Sequence, residues 1–502
     1  MSASLLVGFA VVAALSALGV QLARAILGKS TWLELLGLAY PLGSGVLTWV
    51  LFILSWMGLR ITALSVTATA AFALVGATWA SEIRRKQILQ SATDSRRVSR
   101  EDTGGKSVRV GLGLAFALLI AAALVISVGR SYAAYDAMAG WAVKGYGIAA
   151  SGSVLAGRNW GMWGLNYPLN IMLQVATFRL FGGDLLPESK LLFPVYLACV
   201  CLGIFSFWRR FRVAPALAAA GLMLIATNPV VFIHATNGYA NLPFAAILTM
   251  GVLAAIDGVL ERDPRRQIIS GLLLGIGVWT RPEGFLYVAL VAAAMAALAR
   301  LGRRGRLYPL AFTVPIVGLS VPWLLFAWTH YELDPVWIQQ GDTAVLAISN
   351  LLEGISAGGA QLSTLYLIVR LFLERALLPE NWGAYLPVVT ILFVLSALAR
   401  RTWVRSEIPY LAAVTVITIA LPIALYLVLS IHGLPDFVLV LRRDFDRAYL
   451  PAYFMTNVLA ITLLQSRAHD RDPSAPGRPR SQTGKTARSE ETHLNERDNA
   501  WG

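Results

Sequence analysis

Long apolar runs alternate with short polar breaks along almost the whole chain. An α-helix needs roughly 17–25 mostly apolar residues to cross the hydrocarbon core of a bilayer. By that measure the pattern predicts thirteen spans, near residues 5–23, 36–57, 61–80, 110–129, 188–208, 213–232, 239–260, 268–282, 284–300, 307–329, 384–399, 408–429 and 448–466. A further apolar segment, 168–181, is too short to cross and opens at Pro168, so it reads as a broken or re-entrant helix. The expected fold is therefore an all-α, polytopic transmembrane bundle.

The polar breaks orient the spans. Basic residues cluster at Arg24 and Lys29, in the segment 82–109, at Arg209-Arg210-Phe211-Arg212, at Arg262 with Arg265-Arg266, from Arg300 to Arg306, at Arg400-Arg401 with Arg405, and in the tail from Arg467. With thirteen spans every cluster falls on one side, which the positive-inside tendency makes cytoplasmic. The first run, Leu5 to Leu22, has no basic residue before it, and Arg24 and Lys29 follow it. That order predicts a retained span with an outer N-terminus. The outer face then receives 130–167, 233–238, 330–383 and 430–447, with the Arg281-Pro282-Glu283-Gly284 break close to it. Four regions result: a three-span segment 1–80, a cytoplasmic loop 81–109, a membrane core 110–466 and a cytoplasmic tail 467–502. The loop and the tail have the polar composition of disordered chain.

Composition agrees with the pattern. Of 502 residues, 57% are hydrophobic and 14% charged, where soluble domains carry about 25% charge. The net charge of +14 sits in short inter-span clusters, which fits anionic lipid and gives no reason to invoke nucleic acid. Cys199 and Cys201 lie two apart within an apolar run, a spacing that implies neither a disulfide framework nor a metal site.

Candidate chemistry concentrates outside. Asp136 follows the fourth span among Tyr132, Tyr135, Trp141 and Tyr146, with Lys144 eight residues on and Asn166-Tyr167-Pro168 opening the short segment. An acid at a membrane boundary is a functional candidate, although an interfacial acid in an aromatic belt has the same pattern. Lys144 reads equally as a partner of Asp136 or as a structural lysine. Arg281-Pro282-Glu283-Gly284 interrupts an apolar run; irregular backbone at that depth implies a wet cavity, or a simple loop with local charges. His234, Asn237, Tyr239 and Asn241 cluster in one outer break as ligand groups or helix caps. Arg442, Arg443, Asp444, Asp446 and Arg447 precede the last span, where guanidinium groups suit phosphate or pair internally. The chain has no P-loop, no HExxH and no GxSxG placed on a strand-to-helix turn.

Five elements, in order, resemble bacterial members of the GT-C superfamily of integral-membrane glycosyltransferases, particularly relatives of the dolichyl-phosphate-mannose protein mannosyltransferases (glycosyltransferase family 39). They are Asp136 with Trp141-Ala142-Val143-Lys144, Tyr167-Pro168-Leu169 with Phe181-Gly182, Gly238 to Pro243, Arg281 to Gly284, and Asp444 to Arg447. The resemblance covers about residues 110–465. It implies an inverting transfer from a polyprenyl-phosphate-linked sugar to an acceptor hydroxyl on a protein, lipid or glycan. The setting would be the outer face of a bacterial plasma membrane. Asp136 would be the base, and Arg281, Lys144, Arg447 and Arg442 the donor-phosphate partners. Trp141, Asn166, Tyr167, His234, Asn237, Tyr239, Asn241, Glu283 and Asp446 would line the substrate cavity. Two departures stand out: Ala137 follows Asp136 where many relatives carry a second acid, which argues against a metal-dependent variant, and Asn241 replaces an expected Asp. No cofactor is implied. A lipid-linked sugar flippase or other transporter, an oligosaccharide ligase or polymerase, and a non-catalytic scaffold are the competing readings.

Overall fold

The computed structural model describes residues 3–28, 30–91, 106–132, 137–155, 167–182, 187–301, 305–330, 366–371, 373–374, 407–431 and 437–471. These residues are helical, with no strand among them. In chain order the helices are α1 (Ala3–Leu27), α2 (Trp32–Trp56), α3 (Ala63–Ser91), α4 (Lys106–Gly129), α5 (Val143–Ser151), α6 (Asn170–Gly182), α7 (Leu192–Arg210), α8 (Pro215–Ala226), α9 (Pro229–Asn237), α10 (Asn241–Leu260), α11 (Pro264–Thr280), α12 (Gly284–Leu301), α13 (Pro309–His330), α14 (Ile408–Ile431) and α15 (Phe437–Arg471). A π-helical turn, Ala137–Ala142, leads into α5, and a 3₁₀ turn, Pro187–Leu191, leads into α7.

Seven helices among the described residues are long and apolar enough to cross a membrane, and eight if the bent pair α8–α9 counts as one. The chain is thus a multi-pass protein whose described residues are helical, and the expected count of thirteen is not reached among them. The expected span at 384–399 lies outside the described residues. Helix α11 is 17 residues long, held short by the Asp263-Pro264 start and by Pro282, which cannot continue a helix. The expected span 213–232 breaks after Ala226 and bends by 60°. Asn228 caps the new helix, accepting from Val231 N at 3.2 Å, and Pro229 occupies its first turn. The expected outer loop 233–238 is therefore helical through Asn237.

Three other boundaries differ from expectation. Helix α3 runs to Ser91, past the expected end at residue 80. Helix α15 begins at Phe437, so the expected outer loop 430–447 is helical backbone over its last eleven residues. The stretch from Phe437 to Leu450 holds no Gly or Pro to stop a helix. At its other end α15 extends to Arg471, past the expected boundary at 466.

Small residues let the helices approach closely, as membrane bundles require. A Cβ at Gly19 of α1 would fall on the Ala39 carbonyl of α2, and one at Gly43 of α2 on the Leu15 carbonyl of α1. The basic breaks gather at one end of this bundle. Arg210 and Arg266 pair with Glu34 at 2.8 and 2.5 Å, Arg266 pairs with Asp257 at 2.8 Å, and Arg210 also meets Asp257. Arg84 reaches the Ala25 and Ile26 carbonyls at the end of α1. Gln267 joins the same end, donating to the Gly258 and Arg306 carbonyls at 2.9 and 2.8 Å and accepting from Tyr308 N at 2.6 Å.

Helix α6 occupies the middle of the bundle. Its 13 residues span about 20 Å, short of a ~30 Å hydrocarbon core. Its first nine residues are all buried. It packs against α1, α2, α5 and α11.

Candidate functional site at one end of the bundle

At the end opposite the basic clusters, two cation–aromatic pairs come together. The first is built by the proline break after α11. Arg281 leaves the helix in an extended conformation. Gly284 restarts it so tightly that a Cβ there would stand 2.7 Å from the Gly277 carbonyl. The Arg281 Nε donates to Glu283 Oε1 at 2.5 Å, and its guanidinium carbon lies 5.8 Å from the centroid of the Tyr167 ring. Tyr167 in turn meets Trp141 edge-on, with centroids 5.2 Å apart.

The second pair forms where α15 passes the turn between α9 and α10. The guanidinium carbon of Arg447 lies 4.3 Å from the Tyr239 ring centroid, and its NH2 donates to the Tyr239 hydroxyl at 3.0 Å. Asn241 Nδ2 contacts the Arg447 carbonyl at 3.4 Å. The imidazole of His234, buried in α9, lies 5.4 Å from the Tyr239 ring. Burial weighs most on this imidazole, with smaller effects from the Arg447 and Arg281 charges. Gly238 makes the turn possible: its φ of +87° lies in the left-handed region, and a Cβ there would stand 2.6 Å from the Tyr132 ring.

Of the residues singled out in the sequence, Trp141, Tyr167, His234, Tyr239, Asn241, Arg281, Glu283 and Arg447 therefore converge. Asn237 is the last residue of α9 and is half-buried. Lys144 is fully buried one turn beyond Trp141, and burial pushes its ammonium down to about 8. Asp136 and Asn166 lie outside the described residues. Arg442 and Asp446 lie on the α15 backbone, and their side chains are likewise outside. The residue after Asp136, Ala137, is buried, with its Cβ 3.5 Å from where a Gly238 Cβ would stand.

Among the described residues, two buried ring nitrogens at this end have no hydrogen-bond partner, Trp141 Nε1 and His234 Nδ1. Among the described residues no three His, Cys, Asp or Glu side chains are grouped closely enough to hold a metal ion.

A buried polar network beneath the site escaped the sequence reading. Tyr40 donates to Gln174 Oε1 at 3.1 Å; Gln174 Nε2 reaches Asn170 Oδ1 at 3.0 Å and the Tyr196 hydroxyl at 3.1 Å. Thr48 Oγ1 lies 2.7 Å from Asn170 Oδ1, and Asn170 Nδ2 donates to Thr280 Oγ1 at 2.8 Å. The signal was present as spacing. Tyr40, Ser44 and Thr48 are four apart in one apolar run, and Asn170 and Gln174 four apart in another, which puts each set on one helix face. A second missed group holds the exit from α4. Lys190 donates to the Arg130 and Ser131 carbonyls at 3.1 and 3.3 Å, and Tyr132 bonds Ser189 Oγ at 2.9 Å.

No family model, curated protein or solved structure matches this chain.

Proposed function

We propose that this protein is an inverting glycosyltransferase of the GT-C type. It would move a sugar from a polyprenyl-phosphate-linked donor to an acceptor hydroxyl at the outer face of a bacterial plasma membrane. The observation that carries the reading is the pairing of Arg281 with Tyr167 and of Arg447 with Tyr239 around His234, at the end of the bundle away from the basic clusters. Guanidinium groups held by aromatic faces match a phosphate leaving group whose charge grows as the glycosidic bond breaks.

In this reading the acceptor hydroxyl gives its proton to the Asp136 carboxylate. Its oxygen bonds the anomeric carbon from the face opposite the phosphate. The carbon–oxygen bond to phosphate breaks, and its electron pair leaves with the lipid phosphate toward Arg281. Arg447 and Lys144 supply further positive charge. The role of Asp136 rests on the sequence resemblance alone.

The test is transfer by purified protein from labelled polyprenyl-phosphate sugars to a cell-envelope acceptor extract. Asp136→Asn is expected to abolish transfer while leaving membrane insertion intact, and Arg281→Ala to weaken use of the donor. Full activity of Asp136→Asn would end the base assignment. The bend between α8 and α9 and the ion-pair network closing the inner end favour a second reading, a transporter of lipid-linked sugars. Movement of the lipid across vesicles without any transfer would select it.

A further inference from the structure

The same end carries two buried ring nitrogens that no described residue satisfies. Trp141 is 5% exposed and His234 3%, and neither Trp141 Nε1 nor His234 Nδ1 meets an acceptor. A buried donor without an acceptor is rare in folded proteins and costs free energy, the more so where bilayer keeps water away. The indole nitrogen of Trp141 can only donate. Both rings are locked in place, Trp141 edge-on to Tyr167 at 5.2 Å and His234 against Tyr239 at 5.4 Å. Each aromatic partner also carries a guanidinium, Arg281 on Tyr167 and Arg447 on Tyr239. The surroundings thus hold donors and two guanidinium groups, and among the described side chains the Glu283 carboxylate is engaged by Arg281.

We propose that Trp141 Nε1–H and His234 Nδ1–H are binding residues for a phosphate group, donating to its oxygens while Arg281 and Arg447 neutralise it. The oxygens of a phosphodiester, or of a dianionic phosphate monoester, only accept and would meet both needs; a bound oxygen would also set the imidazole tautomer by holding the proton on Nδ1. This rests on the reading above for the identity of the lipid carrier, but the anion site itself would serve a transporter equally. The two indole and imidazole donors give selectivity that charge alone does not, because an uncharged head group that brings its own donors would leave them unmatched.

The experiment is direct binding to the full chain in nanodiscs. The probes are undecaprenyl phosphate, undecaprenyl diphosphate and the uncharged undecaprenol, with inorganic phosphate as competitor. Wild type is expected to prefer the phosphorylated lipids. Trp141→Phe keeps the edge-on ring and loses the N–H, and His234→Phe keeps a ring and loses its nitrogens. Each is expected to weaken phosphate-lipid binding about tenfold, with undecaprenol binding unchanged. His234→Asn, whose amide can stand near Nδ1, is expected to recover most of the loss. The proposal is overturned if either Trp141→Phe or His234→Phe binds the phosphorylated lipids as wild type does, or if wild type binds undecaprenol as tightly as its phosphate. Binding that depends on both side chains, without sugar transfer to any acceptor, would retain the anion site and remove the transferase reading. Efficient displacement by inorganic phosphate would retain the anion site and make free phosphate its ligand.

Discussion

Asn170 Nδ2 donates to Thr280 Oγ1 at 2.8 Å, joining the first residue of α6 to the last residue of α11. Tyr167 stands three residues before one partner and Arg281 one residue after the other, so this bond ties together the two segments that carry the Arg281–Tyr167 pair. Thr280→Val keeps the shape and removes the acceptor, leaving a buried amide N–H unmatched at a cost of about 1–3 kcal/mol. A lower thermal midpoint for Thr280→Val in detergent is expected, with Thr280→Ser close to wild type. Equal midpoints for both variants would show that the bond contributes nothing.

Lys144 is buried one helical turn beyond Trp141. Its ordinary value of 10.5 falls to about 8 through burial. Between those values the unfolded chain binds a proton that the folded chain has released, so stability rises as pH increases through that window. The ammonium itself is present below pH 8 and lost above. With Lys144 as a donor-phosphate partner, the KM for the donor is expected to climb above about pH 8. Lys144→Arg, which stays charged throughout, is expected to flatten that rise. An unchanged profile in Lys144→Arg would remove Lys144 from phosphate binding.

The two ends of the bundle should face opposite sides of the membrane. Leu59, in the turn between α2 and α3, and Arg262, in the turn between α10 and α11, are both exposed. The native Cys199 and Cys201 are buried and should stay unmodified. Leu59→Cys is expected to react with an impermeant maleimide on intact cells, and Arg262→Cys only after permeabilisation. Labelling of both from outside would overturn the orientation.

The charges at the basic end of the bundle are expected to act as a unit. Arg266→Met leaves Glu34 and Asp257 sharing Arg210, with Asp257 almost fully buried. Breaking a buried ion pair from one side costs about 3–5 kcal/mol. The corresponding drop in thermal midpoint should shrink when Asp257→Asn is added, since the orphaned charge is then gone. Additive losses would mean that the two residues do not couple.

Much of the membrane architecture was legible because hydrophobic length is a physical requirement of the bilayer. The short segment after Pro168 forms a helix of only 13 residues, in keeping with its short apolar run, and the meeting of Arg210, Arg266 and Glu34 follows the clustering of basic breaks. Helix breaks inside apolar runs were harder to read. The bend at Thr227-Asn228 depends on an asparagine cap and a proline that occupy two positions in an otherwise continuous run. The helical start of α15 was hidden because its charged residues look like a loop to a hydropathy reading, although nothing between Phe437 and Leu450 stops a helix. At the site, Arg281 and Tyr167 could be named from the sequence, but their contact could not: it depends on α6 and α11 meeting, and that junction is made by Asn170 and Thr280. Buried polar side chains at four-residue spacing were the available clue.

Helix α6 also bears on how the protein responds to its membrane. A spanning helix adjusts its tilt when the hydrocarbon thickness changes, because its own apolar length must match the bilayer. The first nine residues of α6 are buried among neighbouring helices, so hydrophobic mismatch has no direct grip on them. The segment leading into α6, and with it Tyr167, is referenced to protein contacts. Lipids of different chain length should therefore shift the outer spans more than the spacing between Tyr167 and Arg281.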